Sequence, residues 1–136
     1  MNKLKCLLIS FIFGLSSLAN AEVLEIYTWK ANEGELDKMV DAFIEAKAIH
    51  ESEGNVVVSI EQIDMGGSGE YQYTMRWDNL IQWGEYKDMI SSSENWQKFW
   101  TKWSKNPSAQ LVGTVSGSSL DNSKAEDYRD LYVWSA

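Results

Sequence analysis

Residues 70–107 read EYQYTMRWDNLIQWGEYKDMISSSENWQKFWTKWSKNP, and this stretch decides the fold. From Tyr71 to Trp77, large apolar side chains occupy every second position, which is the period of a strand with one buried face. From Trp83 to Trp103 they fall three or four positions apart, which is the period of an amphipathic helix. The sequence therefore predicts a strand at 70–77 that gives way to helix near Asp78.

Capping signals divide the helical part of this stretch into two pieces. Asp78 has the position of an N-cap for the first piece, over residues 80–90. Ser91-Ser92-Ser93-Glu94 interrupts the pattern and offers a new capping box, so a second helix is expected over 94–105. Asn106-Pro107 ends it, because the residue before a proline avoids helical backbone angles.

Similar patterns predict the elements upstream. Residues 22–30 and 56–63 are rich in β-branched and aromatic residues, which is typical of strands. Between them, apolar residues from 36 to 44 follow helical spacing, with Asn32 and Glu35 placed as a capping box. This helix is expected to end between His50 and Gly54, and a glycine-rich turn at 64–69 to make a hairpin with strand 70–77.

Downstream, residues 109–116 predict a fourth strand, 117–126 a polar loop, and 127–136 an apolar tail that docks on the body or on a partner subunit. The complete order is β-α-β-β-α-β with a split second helix. That order is the ferredoxin-like arrangement, an α+β fold with a four-stranded antiparallel sheet and helices on one face.

The sheet is predicted to need a cover on its second face. Tyr71, Tyr73, Met75 and Trp77 form one apolar face, and the neighbouring strand carries apolar residues on both faces. Because helices cover only one face in this fold, a large exposed patch would remain, and such patches usually mark interfaces. The sequence therefore predicts a C2 homodimer.

The N-terminus has the composition of a secretory signal peptide. Met1–Lys5 carries two lysines, Cys6–Leu18 is mostly apolar, and Ala19-Asn20-Ala21 is a small-x-small cleavage site. The predicted domains are a signal peptide at 1–21 and one α+β domain at 22–136. We therefore expect a periplasmic or secreted protein that no membrane retains after cleavage.

Charge and cysteine content exclude several classes of function for the mature chain. Lys3 and Lys5 leave with residues 1–21, which hold no acidic residue, so the net charge of −8 becomes −10. Phosphate neutralisation needs clustered Lys and Arg, so nucleic acid is not an expected partner. Cys6 is the only cysteine, so disulfides, thiol nucleophiles and thiolate metal sites are not expected after cleavage.

Four segments make the chain resemble the dimeric α/β-barrel superfamily, in particular its NIPSNAP-like and antibiotic-biosynthesis-monooxygenase-like branches. They are EIYTW (25–29), MVDAF (39–43), WDNLIQWGEY (77–86) and SSSENWQKFW (91–100), and the resemblance covers nearly all of 22–116. It implies a ligand pocket between the sheet and the helices. This fold hosts oxygenases, isomerases, haem-handling enzymes and non-enzymes, so the resemblance alone does not assign an activity.

No metal or cofactor is expected. Haem-degrading members of the superfamily use a histidine on the second helix as an iron ligand, and this chain has none there. His50 is the only histidine. It lies at the predicted end of the first helix, close to the charged residues Glu51 and Glu53, which predicts a solvated helix terminus rather than a base or a metal ligand.

Aromatic side chains are the main candidates for a ligand site. Tyr and Trp combine an apolar body with a polar group, although helical spacing of aromatics is also typical of plain core packing. Arg76, which lies among these aromatics, can clamp a carboxylate or stack on a ring, or form a surface or interface ion pair. The candidate pocket residues are Tyr27, Trp29, Tyr73, Trp77, Trp83, Tyr86, Trp96, Trp100 and Arg76.

Three functional hypotheses remain open from the sequence. The first is an exported homodimer that binds an apolar or aromatic small molecule, and it is favoured because no acid–base pair or nucleophile is evident. The second is a cofactor-independent monooxygenase-like or isomerase-like enzyme on a substrate of that kind. The third is carbohydrate binding by exposed Trp and Tyr rings.

Overall fold

The computed structural model describes residues 21–63 and 69–118. Residues 1–20 of the predicted signal peptide, residues 64–68 of the predicted turn and the tail at 127–136 lie outside the described residues. The elements are β1 (Val23–Ala31), α1 (Leu36–Glu53), β2 (Val57–Gln62), β3 (Glu70–Trp77), α2 (Leu80–Ser92), α3 (Glu94–Ser104) and β4 (Ala109–Ser118).

The four strands form one antiparallel sheet in the order β2-β3-β1-β4. β1 lies in the middle, with Tyr27 opposite Tyr73 of β3 on one side and opposite Thr114 of β4 on the other. Together with the order of the elements, this topology confirms the predicted ferredoxin-like α+β fold. β4 extends to Ser118, so residues 117 and 118 of the predicted loop at 117–126 belong to the strand, and the rest of that loop lies outside the described residues.

The sheet has one face that the helices cover, which we call the helix face. It carries Val23, Glu25, Tyr27 and Trp29 of β1 with Tyr71, Tyr73, Met75 and Trp77 of β3. Alternation sends their neighbours Ile26, Thr74 and Arg76 to the opposite face, which we call the far face. The most aromatic face is therefore packed under helices, contrary to the exposed aromatic face from which dimerisation was predicted.

Side-chain caps set the starts of the two helices that follow β3. One of the two cap positions differs from the prediction. Asn79, not Asp78, caps α2 and accepts a hydrogen bond from the backbone N–H of Gln82 at 2.9 Å. Ser93 separates α2 from α3 and accepts from the backbone N–H of Trp96 at 3.1 Å. The break between the two helices is thus the result of a serine cap, as the Ser91–Glu94 segment predicts.

The predicted cap at Asn32 is wrong. α1 starts at Leu36 after Glu35, which makes no side-chain cap hydrogen bond. The Asn32 side chain instead donates to the carbonyl oxygen of Pro107 at 2.7 Å, and its backbone N–H donates to the carbonyl oxygen of Ser108. Because β1 continues to Ala31 and a turn with Gly34 at φ +73° follows, Asn32 ties β1 to the start of β4.

The core lies between the helix face and the three helices. Its most buried side chains are Met39 of α1, Val58 of β2 and Trp77 of β3, each no more than 1% exposed. α1 contributes a stripe of four buried residues at helical spacing: Met39, Phe43, Ala46 and His50. Phe43 of this stripe makes edge contacts with Trp29 of β1 and Tyr73 of β3, so the stripe packs on the helix face.

Candidate functional site

A cavity of about 330 Å³ lies between the helix face and the three helices. We call it the aromatic cavity. Its aromatic lining consists of Tyr27, Trp29, Phe43, Tyr73, Tyr86, Trp96, Phe99, Trp100 and Trp103, and its aliphatic lining of Ala42, Ala46, Met75, Ile90 and Leu111. His50 and Lys87 complete it. The Trp100 side chain is 45% exposed, so the lining reaches the surface.

α3 supplies one wall of the cavity as a row of rings. Trp96, Phe99, Trp100 and Trp103 share one side of the helix because they are spaced three or four residues apart. The Trp96 and Phe99 rings are stacked at 5.2 Å between centroids, and Trp100 and Trp103 lie 5.3 Å apart. Trp103 makes an edge contact with Trp29 of β1 at 5.4 Å, which joins this wall to the sheet.

Six of the nine residues proposed from the sequence line the cavity: Tyr27, Trp29, Tyr73, Tyr86, Trp96 and Trp100. Trp77 lies below it in the core, 1% exposed, with its ring 5.2 Å from that of Tyr86. Trp83 is not part of the lining, but its indole N–H donates to Glu25 at 2.9 Å.

Arg76 does not belong to the cavity. Strand alternation places it on the far face, where its Nη1 donates to the hydroxyl of Ser59 in β2 at 3.2 Å. The sequence correctly placed Arg76 on the other face of β3 from Tyr73, Met75 and Trp77. The cavity, however, lies on the face that carries those three residues. A role for Arg76 in the pocket is therefore wrong for a geometric reason.

His50 is a cavity residue that sequence reasoning missed. Only 5% of it is exposed, so the predicted solvated helix terminus is wrong. Its Nδ1 is hydrogen-bonded to the hydroxyl of Tyr86, and its ring centroid is 4.3 Å from that of Trp96. Burial, and next the charge of Lys87, lower the pKa of His50 from 6.5 to about 4, so the ring is neutral at pH 7. The signal was present in the sequence, because His50 continues the stripe through positions 39, 43 and 46.

Glu25 forms a second polar group beside the cavity, together with Tyr27, Trp83 and Lys87. We call these four residues the glutamate cluster. The buried carboxylate accepts hydrogen bonds from the Tyr27 hydroxyl at 2.7 Å, the Trp83 indole N–H at 2.9 Å and the Lys87 ammonium at 2.7 Å. Burial acts to raise the pKa of Glu25, but the hydrogen bonds, foremost that from Lys87, outweigh it and hold the pKa below 4.5.

The glutamate cluster leaves little free charge near the cavity. The Lys87 side chain is 38% exposed and the Glu25 side chain 6%, so a lysine at the surface neutralises a carboxylate below it. The Lys87 nitrogen also lies 5.9 Å and 5.8 Å from the ring centroids of Trp77 and Trp83. The sequence signal was an acid at position 25 within an otherwise apolar strand face.

The tyrosine hydroxyls of the cavity stay protonated. Burial, the main cause, raises the pKa of Tyr27, Tyr73 and Tyr86 above the ordinary value of 10. Among the residues that the structure describes, the buried hydroxyl of Tyr73 has no hydrogen-bond partner. These groups can therefore donate hydrogen bonds but cannot serve as anions near pH 7.

The described residues were compared with two further kinds of site, a metal centre and a membrane span. Within 21–63 and 69–118, no group of three or more His, Cys, Asp or Glu side chains could hold a metal ion. No helix in these ranges is both long and apolar enough to cross a membrane. The chemical capacity of the site is an apolar, ring-lined volume with a neutral histidine–tyrosine pair and a neutralised carboxylate.

Comparisons with known proteins agree with this fold. No protein-family model matches the chain, and no curated protein matches it. Among solved structures, a NIPSNAP family protein of unknown function from Agrobacterium tumefaciens is 16% identical with a TM-score of 0.59, over 76% of this chain and 93% of that one. A candidate antibiotic biosynthesis monooxygenase from Chloroflexus aurantiacus is 14% identical with a TM-score of 0.56, over 76% and 97%.

A third similar structure is a mutant of SnoaB, a cofactor-independent oxygenase from Streptomyces nogalater. It is 10% identical with a TM-score of 0.53, over 78% of this chain and 98% of that one. At these identities the likeness concerns the fold alone. The predicted resemblance to the fold of NIPSNAP-family and antibiotic-biosynthesis-monooxygenase-like proteins is thereby confirmed.

Proposed function

We propose that this protein binds an apolar or aromatic small molecule in the aromatic cavity. The observation that carries the proposal is the cavity itself, whose volume of about 330 Å³ is sufficient for a small organic ligand. Nine aromatic side chains surround it, and such rings bury large apolar areas while they lose little conformational entropy. The few polar groups are neutral or neutralised, which favours an uncharged ligand.

The test uses indane, a bicyclic hydrocarbon, and the indole N–H signals of an isotope-labelled protein in NMR spectra. Indane is expected to shift the signals of Trp96 and Trp100, which line the cavity. Ala42→Trp should abolish these shifts, because Ala42 lines the cavity on α1. Ala48→Trp is the matched control, since Ala48 is an exposed residue of the same helix outside the lining.

The outcomes of this test are distinct. Shifts in the unmodified protein and in Ala48→Trp, but not in Ala42→Trp, support binding in the cavity. Circular dichroism is used to check that Ala42→Trp is folded. If it is not, the titration of the unmodified protein still tests whether indane binds. Absence of any saturable shift at the solubility limit of indane contradicts the proposal.

We also propose that the chain is exported and forms a homodimer. Export is supported by the signal-like pattern of residues 1–21 and is tested by sequencing the N-terminus of the periplasmic or secreted protein, expected at Glu22. A start at Met1 in the cytoplasmic fraction contradicts it.

Dimerisation is supported by the exposure of Val57 (62%) and Val115 (40%), which both lie on the far face.

The exposed strand β4 also supports a dimer. Nine of its ten residues are exposed, and within the described ranges no strand pairs with its outer edge. Such edges are normally covered or protected. Sedimentation at micromolar concentration should give a dimer that Val115→Lys weakens, whereas Ile81→Lys, at an exposed position of α2, should not change it. A strict monomer contradicts the dimer proposal.

A second candidate function is a cofactor-independent oxygenase, which the neutral His50 in the cavity favours. An imidazole with a free nitrogen can take a proton from an acidified CH₂ group of a bound substrate. Dioxygen would then convert CH₂ to C=O, and the second oxygen atom and the two hydrogens would leave as water. Oxygen uptake with 2-indanone that His50→Phe abolishes supports this candidate, and uptake at the uncatalysed rate contradicts it.

A further inference from the structure

We propose that the ligand of the aromatic cavity carries a hydrogen-bond acceptor, such as a ring carbonyl, and that the Nε2–H of His50 donates to it. This inference rests on the proposed binding function and specifies its ligand class: an uncharged cyclic ketone or quinone-like molecule rather than a plain hydrocarbon.

The first argument is the position of His50. The ring is buried, lines the cavity, and uses Nδ1 for its hydrogen bond with the Tyr86 hydroxyl. Nε2 makes no hydrogen bond within residues 21–63 and 69–118. One nitrogen of a cavity residue is thus engaged by the protein, and the other is available to a ligand.

The second argument is the tautomer. The ring is neutral because burial, followed by the charge of Lys87, disfavours the imidazolium form. A phenol is a better hydrogen-bond donor than acceptor, and an imidazole nitrogen accepts strongly, so Tyr86 donates to Nδ1. In a neutral ring whose Nδ1 accepts, the proton must be on Nε2. Tyr86 is then a positioning residue that fixes His50 as a donor.

The third argument is the chemistry around the donor. The nearest ring is Trp96, and Tyr73 lies 6.0 Å away between centroids, so the immediate surroundings offer no strong acceptor. A ligand acceptor would give the Nε2–H a hydrogen-bond partner that the surrounding rings do not provide. Sites of this kind discriminate strongly against analogues without the polar group.

The glutamate cluster argues for a neutral acceptor. Among the described residues of the lining, Lys87 is the only cation, and its ammonium already lies 2.7 Å from a carboxylate oxygen of Glu25. A ligand carboxylate would add a second negative charge beside that pair and lose its own hydration. A carbonyl oxygen accepts a hydrogen bond without either penalty, so the geometry favours a ketone over an acid.

The test compares indane with 1-indanone, which has the same bicyclic skeleton with one CH₂ replaced by C=O. Both are titrated by NMR into the protein and into His50→Phe. We expect the unmodified protein to bind 1-indanone about tenfold more tightly than indane, as one net hydrogen bond provides. His50→Phe should lose this preference, so that its affinities for indane and 1-indanone become equal, whatever its absolute affinity for indane.

A third variant shows whether the donor itself matters. His50→Gln places an amide N–H close to the position of Nε2, so it should retain part of the preference for 1-indanone. Tyr86→Phe keeps the ring but frees Nδ1, and it should reduce the preference without abolishing indane binding. Retention of the full preference in His50→Phe would overturn the inference.

The tautomer has its own readout, which does not require any variant to fold. Because His50 is the only histidine, the imidazole nitrogen NMR spectrum reports this ring alone. We expect a protonated Nε2 in the free protein and a shift of its signal with 1-indanone. A proton on Nδ1 would overturn the inference and would leave Nε2 as a base, as the oxygenase candidate requires.

These outcomes separate the two proposals. If neither indane nor 1-indanone binds, the proposed binding function fails. If both bind with equal affinity, the binding function holds and the acceptor inference fails.

Discussion

The Tyr86 hydroxyl in α2 is hydrogen-bonded to Nδ1 of His50 in α1, and both residues are buried, at 3% and 5% exposure. Trp96 of α3 packs against the same imidazole at 4.3 Å between ring centroids. The last turn of α1, the middle of α2 and the first turn of α3 therefore meet at one neutral histidine. This contact closes one side of the aromatic cavity, so changes in it affect folding as well as ligand binding.

The first prediction is that stability falls with pH between 6.5 and 4 because of His50. In the unfolded protein, the pKa of this histidine is 6.5, whereas in the folded protein its pKa is about 4. The unfolded state then binds more protons, so acid favours unfolding. We expect the free energy of unfolding to drop by about 2 kcal/mol from pH 7 to pH 5. Urea denaturation at the two pH values measures it.

His50→Phe is the control for this pH dependence. It removes the only histidine, so the pH dependence that remains in the variant belongs to other groups. Besides Lys87 and Tyr86, the ring faces Tyr73 of β3, and Glu53 acts on it in the opposite direction to Lys87. An equally steep loss of stability in His50→Phe would show that His50 is not responsible.

The second prediction concerns Gly54, which follows α1 and lies against Tyr86. A Cβ at this position would be 2.4 Å from Cε of Met89 and 3.0 Å from Cδ2 of Tyr86. The methionine end can move, but the Tyr86 ring is fixed by its contacts with His50 and Trp77. We expect Gly54→Ala to lower the free energy of unfolding by about 1–3 kcal/mol, measured by urea denaturation.

Gly84→Ala is the matched control. Gly84 lies within α2, and a Cβ there would meet no heavy atom within 4 Å. Because alanine favours helix over glycine, this change should stabilise the protein by about 1 kcal/mol. If Gly54→Ala also raised the free energy of unfolding, the contact between position 54 and Tyr86 would have to relax without cost.

The fold was predictable because, in residues 70–107, each hydrophobic period persists over a long segment and the period changes only once. β3 has the predicted bounds, Glu70–Trp77, and the two helices that follow were placed to within two residues. The caps were harder, because Asp78 and Asn79 are both good cap residues and only the backbone path selects Asn79. Asn32 lost its expected role to a contact with Pro107, 75 residues away.

The site was less predictable because it depends on which polar residues tertiary packing buries. Six aromatic residues of the lining were predicted from their spacing in the sequence. His50, in contrast, was predicted to be exposed to solvent because its neighbours in the sequence are charged. Glu51 points away from the face that His50 shares with Ala46, whereas Glu53 lies on that face and accepts a hydrogen bond from the Asn95 side chain of α3. Glu25 gains its partners Trp83 and Lys87 from 58 and 62 residues away, which no local pattern shows.

The third prediction is an asymmetry within the glutamate cluster. Lys87→Met leaves the buried Glu25 carboxylate without its cation, and we expect a loss of about 2 kcal/mol in stability at pH 7. Glu25→Gln leaves Lys87, whose side chain is 38% exposed and can be hydrated, so the loss should be about 1 kcal/mol. Urea denaturation of both variants and of the double variant measures the coupling.

An exposed ion pair provides the control for this comparison. Lys98 and Glu94 form an i,i+4 pair in α3 with side chains 74% and 84% exposed. Lys98→Met should therefore change stability little. If Lys87→Met costs no more than Glu25→Gln, burial of the carboxylate does not control the energetics of the cluster.

The fourth prediction separates core from cavity with two tryptophans. Trp77 is 1% exposed and lies beneath the cavity, so Trp77→Ala should cost about 3–5 kcal/mol of stability. Trp100 is 45% exposed and belongs to the lining, so Trp100→Ala should change stability by about 1 kcal/mol or less while it weakens indane binding severalfold. Thermal unfolding and NMR titration measure the two effects.

Ile81→Ala is the control for Trp100→Ala, since Ile81 is 62% exposed on α2 and lies outside the lining. It should affect neither stability nor indane binding appreciably. The distinction depends on burial, because Trp77 is surrounded by the core whereas Trp100 packs mainly on Trp96 and Trp103 of its own helix. If Trp100→Ala unfolds the protein as Trp77→Ala does, the rings of α3 are structural core, and a ligand-binding role for that wall would have to be abandoned.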